Sequence, residues 1–136
     1  MPVLRPSAFA CSAVLAVVGT AAPAHAAGTS WHTMQDLIGA KHQACRVATA
    51  SGDGWRIKNR VDARHATGRV NARAIVQKNG HDTTRVWKSG WVAKGTVLGV
   101  GSVVLPKGSQ YTVVLAMGAD GFGGGGEFHA GDIGRC

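Results

Sequence analysis

The sequence predicts an all-β protein, an antiparallel β-sandwich of six to seven strands in which one disulfide links the first and last. Three observations carry that prediction. From Cys45 onward, apolar residues recur with a period of two, which places them on one face of a strand. Turn residues punctuate this pattern at Ser51-Gly52-Asp53-Gly54, Asn79-Gly80, Ser89-Gly90 and Pro106-Lys107-Gly108, with no helical stretch between them. Beyond Cys11 the chain has only two cysteines, Cys45 and Cys136, near the two ends of the patterned region.

Residues 1–26 read as a secretory signal peptide. Arg5 precedes an apolar run from Ala8 to Gly19, and Ala24-His25-Ala26 is a small-residue cleavage site. The run is shorter than the roughly 20 residues that cross a bilayer, and Ala8-Phe9-Ala10 before Cys11 is a poor lipobox. The expected location is therefore secreted and extracellular, as a single small domain. In that oxidising setting, two cysteines with no CxxC or Cys/His ligand spacing favour one Cys45–Cys136 disulfide over a metal site.

Residues 27–42 lack strand alternation. Trp31, Met34, Leu37 and Ile38 fall at helical spacing, so a flexible or short helical arm is expected. The sandwich is expected over residues 43–136. Cys45, Val47 and Thr49 lead into the first turn, after which Trp55, Ile57, Val61 and Ala63 alternate with Arg56, Lys58, Arg60 and Arg64. Val70, Ala72, Ala74 and Val76 alternate with Arg69, Asn71, Arg73 and Gln77 up to Asn79-Gly80, a strong turn signal. Thr83–Lys88 is the next strand, and Trp91–Ala93 a short extension or edge. Val97–Leu105 follows, with Gly99 and Gly101 marking a bulge or a close backbone approach. Tyr111, Val113, Leu115 and Met117 make a further strand, Gly118–Gly126 reads as a loop, and Glu127–Arg135 as a closing strand that delivers Cys136.

Charge narrows the partners. The full chain carries 15 Lys and Arg against 7 Asp and Glu, a net charge of +8. Such a surface attracts anionic polymers such as teichoic acid, acidic polysaccharide, anionic lipid or, nonspecifically, nucleic acid. Arg56, Lys58, Arg60 and Arg64 line one predicted strand, with Arg69 and Arg73 on the following one. If those two strands pair as a hairpin, their outward faces place five or six of these cations on one basic sheet face, about 7 Å apart along each strand. A solvated face that discourages edge aggregation is the alternative. Trp87 and Trp91 flank the Ser89-Gly90 turn and form either a sugar-stacking platform or part of the core.

Catalytic chemistry is thinly supplied. Gly121–Gly126 satisfies GxGxxG by spacing, but the pattern needs a following helix to hold pyrophosphate, and only ten residues remain. Asp120 and Glu127 flank the same stretch as conceivable calcium ligands, too few for a hard cation. His32, His42, His65, His81 and His129 show no metal-binding spacing. Glu127 is the only glutamate, and no serine stands in GxSxG. The reading is a non-catalytic protein without cofactor or metal.

Two family resemblances bear on fold and function. Leu105-Pro106-Lys107-Gly108-Ser109-Gln110-Tyr111-Thr112-Val113 resembles the E-to-F corner of fibronectin type III domains, within the broader immunoglobulin-like β-sandwiches. The resemblance implies a Greek-key sandwich in which Tyr111 forms a tyrosine corner, its hydroxyl bonding the upstream backbone, and Trp55 is the buried strand tryptophan. Trp55-Arg56-Ile57 is similar to the Trp-Arg-Tyr segment of the tendamistat family of secreted α-amylase inhibitors, with Ile57 in place of tyrosine. The whole chain also resembles small exported proteins of actinobacteria, a likeness that implies no activity. The expected function is a secreted binding module for an anionic cell-wall polymer or an extracellular protein. An inhibitor of an extracellular hydrolase, acting through Trp55-Arg56-Ile57 or the Gly118–Gly126 segment, and a carbohydrate-binding module are the alternatives.

Overall fold

A computed structural model describes residues 28–136; the predicted signal peptide lies outside the described residues. The chain forms eight strands: β1 His32–Leu37, β2 Ala40–Ala48, β3 Gly54–Asp62, β4 Asn71–Lys78, β5 His81–Lys88, β6 Val97–Pro106, β7 Tyr111–Ala119 and β8 Phe122–Phe128. They build two four-stranded antiparallel sheets. Sheet I has the order β1-β2-β3-β6 and sheet II the order β5-β4-β7-β8.

The alternation read in the sequence fills the space between the sheets. Ile57, Val103 and Leu105 from sheet I meet Ala74, Val76, Val113 and Leu115 from sheet II in one buried cluster. Val61, Ala63, Val70, Ala72, Val92 and Met117 form a second, toward the other end. At about 25 cal/mol per Å² of apolar surface removed from water, these clusters are the main stabilising term. The disulfide joins Cys45 to Cys136, with Cα atoms 4.8 Å apart. It fixes a carboxyl-terminal segment that runs parallel to β2: Arg46 N–H donates to the Gly134 carbonyl (2.9 Å), and Cys136 N–H to that of Arg46 (3.0 Å).

The stretch expected to be an arm is instead a hairpin. β1 pairs with β2 through a two-residue turn at Ile38-Gly39, both at positive φ (49° and 82°), as a type I′ connection requires. A register shift between Thr33 and Gln35 makes Met34 a bulge residue. Met34 and Leu37, three residues apart, consequently both pack on the core, and a bulged strand imitates helical spacing. The Gly118–Gly126 segment also differs from expectation. It is mostly β8, paired with β7 from Val113↔Phe128 to Ala119↔Phe122. Four consecutive glycines lie in that strand because β7 supplies all of its pairing and a bare backbone fits closely against it: a Cβ on Gly123 would sit 2.6 Å from the Met117 carbonyl oxygen. The closing strand reduces to a 3-10 turn at Ala130–Asp132 and a single bridge at Arg135.

Candidate functional site

The six cations singled out in the sequence do not share a face. β3 pairs with β2 and β6, whereas β4 pairs with β5 and β7. The two basic strands lie in opposite sheets, so their outward side chains point to opposite sides of the sandwich. The reason lies in residues 63–70: Ala63 N–H binds the Thr96 carbonyl (2.8 Å), Val70 N–H binds that of Val92 (3.1 Å), and the chain crosses between sheets instead of turning back in a hairpin.

On sheet I, Ile57 and Val61 are fully buried, and Asn59 between them also faces inward. Arg56, Lys58 and Arg60 therefore alternate outward along β3. Their neighbours are neutral. Arg56 stands between Val47 and Val104, Lys58 between Cys45 and Ser102, and Arg60 opposite Gln43. The Arg60 Nε donates to Gln43 Oε1 (2.8 Å), its guanidinium lies 4.6 Å from the Trp31 ring centroid, and Arg56 donates to Ser102 Oγ (3.2 Å). Among the described residues none of the three makes an ion pair.

Arg64 and Arg69 are committed elsewhere. Arg64 forms a two-pronged contact with Asp62 (2.9 and 2.6 Å), which holds the Asp62 carboxyl down at about 2 and raises Arg64. Arg69 pairs with Asp120 at 2.9 Å, lowering that carboxyl, and stacks 4.3 Å from the Trp91 ring centroid. Asp120 is thereby occupied, and Glu127, at the far end of β8, accepts a 2.7 Å hydrogen bond from Thr112 Oγ1. The conceivable calcium ligands thus do not converge. Among the described residues no group of three or more His, Cys, Asp or Glu is arranged for a metal, and no helix is long and apolar enough to cross a membrane.

Arg73 alone of the six faces outward from sheet II. Directly opposite it on β5 is Lys88, and on its other side are Ala116 and, beyond it, Gly125. The two tryptophans separate. Trp87 points inward against both core clusters, 5.7 Å from the His42 ring, and belongs to the core. Trp91 remains 50% exposed. Of the two readings the sequence allowed, Trp87 takes the core one, and the two rings do not form a paired platform.

The family-derived roles fare unevenly. Tyr111 packs on the core with the Lys78 ammonium 5.7 Å from its ring centroid, and its N–H donates to the Gly108 carbonyl (3.2 Å). A hydroxyl-to-backbone bond from Tyr111 is not among the side-chain hydrogen bonds of the described residues. In Trp55-Arg56-Ile57, strand alternation exposes only Arg56: Ile57 is fully buried, and the Arg46 guanidinium covers the Trp55 ring at 4.3 Å. The three side chains cannot contact a partner together.

Lys88 and Asn71 were not singled out as site residues by the sequence. Asn71 was read on the polar side of its strand, but its place beside Arg73, Lys88 and Trp91 depends on which strand pairs with which. Compared with known proteins, the chain matches no family model, no curated protein and no solved structure.

Proposed function

We propose that this chain is a secreted, non-catalytic binding module that holds an anionic cell-wall polymer on the outer face of sheet I. The observation that carries the reading is the Arg56, Lys58, Arg60 row, three outward cations from one strand with neutral cross-strand neighbours. At about 7 Å per two residues, the row has the scale of the phosphate repeat in an extended phosphodiester chain. Arg60 is held by Gln43 and Trp31, which reduces the side-chain entropy lost on binding. The fold reading that accompanies the proposal is a Greek-key, fibronectin type III-like sandwich. Its support is the strand distribution, with β3 and β6 in one sheet and β4, β7 and β8 in the other, in the manner of strands B and E against C, F and G.

The test is retention on an immobilised glycerol-phosphate teichoic acid. The triple variant Arg56→Gln/Lys58→Gln/Arg60→Gln should bind at least about tenfold more weakly at low salt. Arg64→Gln and Arg69→Gln, whose charges are already paired, should bind much as the parent does. Undiminished binding by a folded triple variant overturns the reading.

A further inference from the structure

Sheet II carries a second surface that the β3 row does not explain. Arg73 and Lys88 are direct cross-strand partners on its outer face. Like charges in that relation stand about 5 Å apart at Cβ and destabilise a sheet. Neither is paired with an opposite charge. Among the described residues neither makes an ion pair or a side-chain hydrogen bond, Asp120 is engaged by Arg69, Glu127 by Thr112, and Asp82 accepts from Gln77 Nε2 at 2.7 Å.

The pair borders two adjoining hollows. One, of about 590 Å³, runs from Asn71 and Arg73 across Ala116 to Gly118, Gly123 and Gly125, within the size range of small-ligand clefts, about 300–1,000 Å³. The other, of about 240 Å³, lies between Lys88, Gly90 and Trp91 and shares Asn71 and Arg73 with the first. The shared wall makes them one trough. Its floor is backbone and small side chains, its wall carries two unneutralised cations and a carboxamide, and a half-exposed indole stands at one end.

We infer that this trough is a binding site for an acidic oligosaccharide, a short uronic-acid chain. The bare floor admits a flat, wide ligand, and the indole edge and carboxamide suit ring C–H and hydroxyl groups. Arg73 and Lys88 supply the charge that a carboxylate on such a ring complements. The inference does not rest on the sheet I row, because the two surfaces lie on opposite sides of the sandwich.

The experiment titrates the oxidised protein with tetragalacturonate and, separately, with neutral cellotetraose. Tetragalacturonate should bind and cellotetraose should bind at least about tenfold more weakly. Arg73→Gln and Lys88→Gln should each weaken tetragalacturonate binding by about tenfold, Trp91→Ala should also weaken it, and Ala116→Phe, which fills the floor from an outward position, should abolish it. The sheet I triple variant should bind tetragalacturonate as the parent does. Equal affinity for the two sugars, no binding of either, or full binding by a folded Ala116→Phe overturns the inference. Because a denaturation midpoint no lower than the parent's certifies each variant as folded, Arg73→Gln and Lys88→Gln, which relieve a like-charge contact, decide the matter if Ala116→Phe fails that check. Teichoic acid retention that survives in the triple variant overturns the sheet I reading alone, and tetragalacturonate binding that survives in the folded trough variants overturns the trough alone.

Discussion

The indole of Trp87 on β5 occupies the space into which a side chain at Gly101 on β6 would project; a Cβ there would collide with the indole Nε1 and Cδ1. One tryptophan from sheet II is thus seated against bare backbone of sheet I. Gly101→Ala should destabilise the domain by about 1–3 kcal/mol through overpacking. Gly99→Ala, two residues away with nothing within 4 Å of the added carbon, should change stability by less than about 1 kcal/mol. Urea midpoints of the two variants check the contrast, and equal effects would contradict it.

This contact also shows what could be read from the sequence. The glycines of β6 announced a bulge or close approach, and both are present: the β3–β6 register shifts between Asn59 and Val61, and Trp87 fills the approach. Two-residue alternation located β3, β4 and β7 because their inward residues are uninterrupted. It missed β1 because the Met34 bulge and an isoleucine at positive φ in the turn disguise the hairpin. It missed β8 because glycine has no side chain to alternate. The basic residues were legible one by one. Their division between two faces was not, since that depends on hydrogen bonds between residues far apart in sequence.

Reduction of the Cys45–Cys136 bond releases a 91-residue separation, worth about 4–5 kcal/mol of chain entropy. A domain of this size has only about 5–15 kcal/mol in total. Cys45→Ser/Cys136→Ser should therefore show a large fall in thermal and urea midpoints. It should also loosen the Gly134–Cys136 segment from β2, seen as faster amide exchange at Arg46. An unaltered midpoint would contradict the role of the bond.

Acid sensitivity should centre on His42. It is fully buried, its Nε2 donates to Asn59 Oδ1 at 3.0 Å, its Nδ1 has no partner, and desolvation pushes its pKa down to about 4. The unfolded chain, with the ordinary value near 6.5, binds the proton first. Stability is thus fully present above pH 6.5, falls as pH drops toward 4, and flattens below; the span corresponds to about 3 kcal/mol. The Asp62 contribution is present above pH 3.8 and is lost as pH falls toward 2, below the His42 window. Urea midpoints against pH should lose the slope between 6.5 and 4 in His42→Gln; a slope that persists would assign it elsewhere.

Tyr111→Phe separates packing from a tyrosine corner. The ring packs on the core, so removing the hydroxyl should cost less than about 0.5 kcal/mol. A corner hydrogen bond to the backbone would make the loss about 1 kcal/mol or more. Denaturation of the single variant distinguishes the two.

The central claim, that the Arg56, Lys58, Arg60 row holds an anionic polymer, is tested most directly by the slope of log affinity for glycerol-phosphate teichoic acid against log salt. Three phosphate contacts on a single-stranded polyanion give a slope of about −2. The account predicts that the Arg56→Gln/Lys58→Gln/Arg60→Gln variant loses about two units of slope together with its affinity. A triple variant with the parent's slope and affinity would contradict it.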